Sequence, residues 1–325
     1  MSTQPFGAGI IGIAHSHAFG HMQAIRNSKN WKLIGVAEPN TELLAGARED
    51  SRWEGTPWTS PEALLSDEQV QMICIETDPI KSLPYALQTI EAGKHVKIDK
   101  PPGVDYPLLH KIFAEAERRH LLIQMGYVYR YNPAFQIAYK AIKEGWLGQV
   151  RSIVCQMNDM LSPAGRQRLD RYRGGQFYEI CCHMLDVLIW LMGEPHRVSP
   201  TLRHSDPVDD TLEDDVQATY EFDEAVALIR SNTRNGERFF HIFGDTGSIF
   251  INDPDRPKMK ISMASPRGDF QAGIQTVPVG PSVRYIPDLD DLAGAIREHR
   301  EVEHFTSEHD LAVQRTLLKT CGFKV

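Results

Sequence analysis

The chain lacks several features that would announce a function. No apolar run approaches the 18 or so residues that span a bilayer, so a membrane-embedded protein is not expected. There is no long basic run, and the formal net charge is −8, which argues against nucleic acid or an anionic membrane as the main partner. Only five of 325 residues are cysteine. That odd number, two of them adjacent (Cys181 and Cys182) and none in a CxxC pair, suits reduced thiols in a cytoplasmic protein rather than a disulfide framework or a zinc ribbon. The start, MSTQPFGAGIIG, has no charged region ahead of an apolar core and does not read as a signal peptide. No repeat or low-complexity stretch is visible. With 42% hydrophobic and 24% charged residues, the chain has the composition of an ordinary globular protein, long enough for two domains.

What is present is an alternation. Strand patterns at 7–13, 31–37, 71–76, 95–98 and 121–126 are interleaved with helical patterns at 18–27, 41–50, 80–92 and 107–119. Continuous apolar strands joined by helices of this length predict a parallel sheet covered on both faces. After Gly126 the pattern changes. Helices are expected at 133–144 and 177–192 and a strand at 148–158. Several strands follow between 215 and 252, with turns at 222–224, 235–236 and 245–247. The Pro-rich stretch 253–287 reads as loop and edge strand, and two helices close the chain near 288–299 and 306–320. The fold class is α/β: a doubly wound Rossmann domain over 1–126, then an α+β domain over 127–325 with a mostly antiparallel open sheet.

The densest signal is FYEICCHMLDVLIWLM at 177–192. It is apolar or aromatic everywhere except Glu179, His183 and Asp186. On an α-helix these three, at i, i+4 and i+7, fall within an arc of about 60°. A helix apolar nearly all round is buried, and burying two carboxylates and an imidazole is costly unless they are paired or face a polar cavity. The stripe is a candidate active-site wall; the competing reading is a satisfied core network. Cys182, though beside His183, points about 100° away and is expected to be a small core residue.

The first strand runs into Gly12-Ile13-Ala14-His15-Ser16-His17. Of the GxGxxG dinucleotide fingerprint only the first glycine stands; Ala14 and His17 occupy the other two positions. The second strand ends in Glu38, 26 residues later, where a carboxylate accepts hydrogen bonds from ribose hydroxyls and repels a 2′-phosphate. With no Arg or Lys at 39–41, NAD is favoured over NADP. Gly12, Ala14, His15, Ser16, His17, Glu38, Thr77, Asp99 and Lys100 are the expected cofactor contacts. His15, His17 and His21 also permit another reading, since HxH after a first strand opens some TIM-barrel metal hydrolases. The later sequence turns antiparallel and supplies no further ligand set, so no metal is expected. Lys100, at the C-terminal end of a parallel strand, points toward the crevice where such sheets bind ligands. The Lys100–Pro101 bond is open to either isomer.

Several blocks, in order, resemble the Gfo/Idh/MocA oxidoreductases, the glucose–fructose oxidoreductase and inositol dehydrogenase family, over nearly the whole chain. Ala92-Gly93-Lys94-His95-Val96 with Asp99-Lys100-Pro101 resembles its AGKHV…EKP block, and Arg130-Tyr131-Asn132-Pro133 its R-[FY]-NP turn. Gly145–Gly148 resembles its G-x-[IL]-G. Gly174-Gly175 through Asp186 resembles its GGG…D-x-G-x-H-x-x-D helix, and 243–248 its FG-x-x-GS turn. The resemblance implies Lys100, Glu179 and His183 as catalytic positions and Asp186 as a supporting one. The family usually has Asp at Glu179 and Gly at Cys181. On this reading the protein transfers hydride between NAD and a sugar, polyol or related carbohydrate-like molecule. His183 takes the hydroxyl proton, Lys100 stabilises the developing alkoxide or is itself the base, and Glu179 orients substrate or His183. Tyr127, Tyr129, Arg130 and Asn132 are expected to line the substrate site with Asp186, and Arg173 suits a carboxylate or phosphate. The alternatives are a non-catalytic NAD-binding regulator on the same fold, an NAD-assisted lyase or glycosidase, and, remotely, the metal hydrolase. The exposed sheet face predicts a homodimer or homotetramer.

Overall fold

The computed structural model describes residues 4–302 and 305–325. The chain divides into two compact units, one running to Tyr127 and taking in Arg284–Leu311, the other formed by Val128–Val283 and Ala312–Val325. The first boundary lies one residue from the expected one. The expected unbroken second domain is corrected, because the segment Arg284–Leu311 returns to the first unit.

In the first unit β1 (Phe6–Ile11), α1 (Ala18–Asn27), β2 (Trp31–Ala37), α2 (Thr41–Glu49), β3 (Trp58–Thr59), α3 (Pro61–Ser66), β4 (Val70–Ile75), α4 (Pro79–Glu91), β5 (His95–Ile98), α5 (Tyr106–Arg118) and β6 (Ile123–Met125) alternate along the chain. The strands form one parallel sheet in the order β3-β2-β1-β4-β5-β6. The order reverses between β1 and β4, and ligands of such sheets bind in the crevice beyond the strand ends at this point. The helices start where short polar caps sit. Asn40 Oδ1 accepts the Glu42 and Leu43 N–H groups, Asp78 accepts that of Ile80, and Asp105 that of Leu108. Pro79 and Pro107 lie in the first turns of α4 and α5, where a missing N–H costs nothing. Gly93, at φ +75°, ends the chain's run out of α4. The short β3 and α3 were not expected from the sequence.

In the second unit α6 (Pro133–Lys143), β7 (Val150–Met157), α7 (Pro163–Leu169), a π-turn over Phe177–Cys181 and α8 (Cys182–Met192) lead into β8 (Arg197–Arg203), β9 (Asp215–Glu221), β10 (Val226–Asn232), β11 (Arg238–Gly244), β12 (Gly247–Asn252), β13 (Lys258–Met263) and β14 (Gly273–Val277). The eight strands run β14-β13-β12-β11-β7-β10-β9-β8, antiparallel except for β7 with β10. Alternation sets the core face: Val216, Ala218 and Tyr220 on β9 and Phe240 and Ile242 on β11 are buried while their neighbours are not. The stretch expected to be loop and edge strand holds β13, an interior strand, as well as the edge strand β14. The edge strand β8 was also unexpected; its alternation is faint because so little of it is buried.

Two helices follow, α9 (Ile286–Glu298) and α10 (Ser307–Thr320). Leu289, Leu292, Ala293 and Ala295 of α9 join Ala8, Ile10, Met22, Ile25 and Trp31 in one apolar cluster. The Trp31 indole N–H donates to Leu289 O at 2.8 Å. Asp288 receives the buried Lys97 ammonium at 2.5 Å, and its carbonyl accepts the Gln124 side-chain amide at 2.8 Å.

Candidate active site

The turn after β1 is shaped by Gly12. Its φ is +92°, and a Cβ there would stand 2.5 Å from the Thr77 nitrogen and 2.6 Å from Thr77 Cγ2. Only glycine allows β1 and the end of β4 to approach this closely. Glu38, at the end of β2, is 8% exposed. One of its oxygens accepts the Ile13 N–H at 2.6 Å and the other the Asn40 N–H at 2.7 Å. Each carboxylate oxygen carries two lone-pair sites, so both keep capacity for a ribose hydroxyl. Ala14 and Ser16 are exposed on the turn. The Gly12 turn, Glu38 and Thr77 thus fit a dinucleotide.

His15 and His17, expected near the cofactor phosphates, face Asp99. Their Nδ1 atoms lie 2.8 and 2.9 Å from Asp99 Oδ2. One turn into α1, His21 Nδ1 lies 2.6 Å from Glu76 Oε1, just past β4. Burial lowers the pKa of His17 to about 4 against the opposing pull of Asp99. Burial, helped by the Lys97 charge, lowers that of His21 to about 4 as well. Both rings are therefore neutral at pH 7. Burial and the charge of Asp99 push the Glu76 carboxyl well above the usual carboxylate range. Asp99 Oδ1 accepts the Lys100 N–H at 2.7 Å. Lys100 is itself buried, and its bond to Pro101 is cis. Tyr127, just beyond β6, is also buried.

In the second unit the stripe is not a single α-helical face. The π-turn over Phe177–Cys181 precedes α8 and moves Glu179 out of phase with His183 and Asp186. π-Turns are frequent at functional sites. Each of the three polar residues contacts a residue outside the stripe. Glu179 accepts from Arg168 at 3.1 Å. Asp186 receives Arg130 through Nε, 3.1 Å from both oxygens, and through Nη2 at 2.6 Å, both residues being fully buried. The His183 ring centroid lies 5.4 Å from that of Tyr129. Asp186 and Arg130, expected at the substrate, pair with each other. Asn132 is likewise structural in placement: its Oδ1 caps α6 at Ala134, and its amide donates to Pro254 O at 2.8 Å. Arg173 is exposed, its guanidinium 6.0 Å from the centre of the Phe323 ring. Cys181 and Cys182 are buried, and burial pushes the Cys181 thiol well above its ordinary value, which suits inert core positions.

Sequence reasoning missed Arg168 as the partner of Glu179. It also missed Glu76, although a carboxylate closing an apolar strand is the same signal that picked out Glu38. Arg166, which binds Asp206, Asp210 and Asp214 together, left no local trace because its partners lie far along the chain.

A six-stranded parallel sheet with its glycine turn and strand-end carboxylate defines a dinucleotide-binding architecture. Residues 6–127 match the model of the oxidoreductase family with an NAD-binding Rossmann fold, and residues 135–250 match the GFO/IDH/MocA C-terminal domain. The chain belongs to the Gfo/Idh/MocA oxidoreductase family. It is 25% identical to a levoglucosan dehydrogenase of Pseudarthrobacter phenanthrenivorans, over 86% of this chain and 80% of the relative. It is 24% identical to a UDP-N-acetylglucosamine 3-dehydrogenase of Acidithiobacillus ferrooxidans, over 90% of both. The solved structure of levoglucosan dehydrogenase with NADH and levoglucosan is similar at a TM-score of 0.82 and 22% identity, covering 98% of each chain; at that identity the likeness concerns the fold. The parallel sheet is open, which removes the TIM-barrel hydrolase reading. Among the described residues, no helix is long and apolar enough to cross a membrane.

Proposed function

We propose that the protein transfers hydride between NAD and a hydroxyl-bearing carbon of a sugar, polyol or related small molecule. The observation that carries this reading is Glu38, buried at the end of β2 and held by the Ile13 and Asn40 N–H groups. Its charge suits two ribose hydroxyls and disfavours a 2′-phosphate. Bound NAD supplies the hydride acceptor. The chain's own residues manage the proton and the developing charge. His183 takes the proton of the reacting hydroxyl. The Lys100 ammonium is suited to stabilise the negative charge that develops as the C–H bond breaks. Glu179, restrained by Arg168, orients the substrate. Arg130 and Asp186, locked together, position α8 and hence His183 without touching substrate. The relatives' names recommend anhydrosugars and nucleotide-linked amino sugars for a first substrate panel.

The test has two stages. NADH and NADPH are titrated against the protein and its Glu38→Arg variant by nicotinamide fluorescence. Micromolar NADH binding, with preference moving toward NADPH in the variant, is expected. Sugar and polyol oxidation is then followed by NADH absorbance for wild type, Lys100→Met and His183→Ala. Failure to bind either cofactor, or turnover unchanged in both variants, overturns the assignment.

The partner we propose for the second unit is another copy of the same chain. Phe239, His241, Phe243 and Phe250 form a half-exposed aromatic patch on the face of the open sheet opposite the buried Phe240 and Ile242, and such patches mark association surfaces.

A further inference from the structure

Beneath the dinucleotide turn lies a group of side chains that the hydride-transfer reading does not use. His15 and His17 follow β1, His21 is on α1, Glu76 follows β4 and Asp99 follows β5. Ligating atoms of His15, His17 and Asp99 lie within 4.8 Å of one another, and so do those of His21, Glu76 and Asp99. Ligand atoms around one ion stand no more than about twice the 2.0–2.2 Å bond apart. Each triad therefore closes on an ion with shifts of a few tenths of an ångström.

His17 Nδ1 makes a hydrogen bond with Asp99 Oδ1 at 3.3 Å, whereas the shorter contacts lack that alignment. Asp99 Oδ2 lies 2.8 and 2.9 Å from two imidazole nitrogens, and Glu76 Oε1 lies 2.6 Å from a third. Yet Asp99 Oδ2, both Glu76 oxygens and both His21 nitrogens lack the alignment of any hydrogen bond. His15 Nδ1 already accepts the His17 N–H at 3.3 Å, so its lone-pair side is engaged while it also faces the Asp99 carboxylate. Buried polar atoms are rarely left this way, and an absent ion is one of the recognised causes. Glu76 is 0% exposed.

Charge points the same way. Lys97 and Asp288 neutralise each other nearby. Glu76 and Asp99 then place two carboxyl groups among three imidazoles, all buried but for the edge of His17. Two carboxylates so close cannot both ionise cheaply in the interior, and a divalent cation would let them. Three imidazole nitrogens and carboxylate oxygen suit zinc, cobalt, manganese or iron(II) rather than calcium or magnesium.

We infer that the first unit holds one divalent transition-metal ion, on Asp99, Glu76 and His21 with His15 and His17 closing the shell, beneath the turn that receives the dinucleotide. The His17 side chain, 13% exposed, is the edge by which the ion enters. The inference stands apart from the hydride-transfer proposal, since it concerns metal content and not turnover.

The experiment uses the full chain without an affinity tag. Metal content is measured by mass spectrometry after purification free of chelators. The protein is then stripped and titrated with Co(II), reading visible absorption, with Zn(II) as competitor. The expected result is about one equivalent of Co(II), displaced by Zn(II), and a higher thermal midpoint when loaded. Glu76→Gln and His17→Gln, each folded by circular dichroism, are expected to weaken binding by more than about tenfold. Wild type that takes up no stoichiometric ion at micromolar Zn(II), Co(II) or Mn(II) overturns the inference, as do two variants that bind like wild type. The cluster is then a proton-sharing carboxylate–imidazole network.

Discussion

Replacing Asp186 with Asn is the perturbation that separates a positioning residue from a substrate contact. The carboxylate meets the Arg130 guanidinium through three N–H···O contacts of 2.6 to 3.1 Å, with both side chains sealed from water. At an effective dielectric constant near 20 and 3 Å, two unit charges attract by about 5 kcal/mol. Removing one partner of a buried pair costs about 3–5 kcal/mol, because the remaining charge stays in the interior. Asp186→Asn is nearly isosteric, so cavity formation adds little. The expected loss is therefore about 3–5 kcal/mol, read as a fall of about 6–20 °C in the melting transition of a unit of this size. The double variant Arg130→Met/Asp186→Leu removes both charges and is expected to regain most of that loss. The assay is thermal unfolding of the four members of the double-mutant cycle, with NADH binding measured alongside. NADH affinity is expected to hold, since both residues lie outside the NAD-binding unit. Asp186→Asn within 1 kcal/mol of wild type, combined with a raised KM, would refute the reasoning and return Asp186 to the substrate.

Acid titration and sedimentation give two further checks. The Arg234 guanidinium donating to Asp206, and that of Arg166 donating to Asp210, hold both carboxyls below their ordinary range. Depressed folded-state values mean that the stabilisation is fully present above the unfolded value of about 3.9 and is lost as pH falls below it. The melting temperature should stay level from pH 7 to 5 on this account and drop below pH 4, less steeply in Asp210→Asn; an equal acid slope in the two proteins would count against it. Sedimentation velocity at micromolar concentration should find an oligomer, and Phe243→Glu with Phe250→Lys should shift it toward monomer. A wild-type protein that sediments as a monomer removes the proposed use of the sheet face.

Much of the first unit was legible because its strands are continuous apolar runs and its helices α2 to α5 begin at a polar cap, mostly with Pro in the first turn. Helix 18–27 and strands 31–37 and 95–98 coincide with α1, β2 and β5. Glycine at 12 and the carboxylate at 38 were legible for the same reason: each answers a local backbone or chemical demand. The stripe at 177–192 failed differently. Its burial was readable from composition, but its phase was not, since a π-turn changes the winding without changing which residues are apolar. Partner choice also escaped the sequence. Glu179 meets Arg168 and Asp186 meets Arg130 because of tertiary placement, which no periodicity encodes. His15 and His17 carried two readings at once, phosphate contact and metal ligand, because the direction of an imidazole depends on carboxylates delivered from β4 and β5.

The return of α9 to the first unit has a consequence for how the molecule is made. Leu289, Leu292 and Ala293 complete a core begun by Ala8, Ile10 and Met22, and Asp288 supplies the counter-charge to buried Lys97. A ribosome delivering the chain in order must release the whole of Val128–Val283 before that core can close. The NAD-binding half is thus the first to be synthesised and cannot be the first to be finished. A gene cut at the apparent boundary near residue 126 yields a fragment with an open apolar wall and an ammonium facing it. A fragment meant to stand alone needs Arg284–Leu311 grafted back on by a short linker.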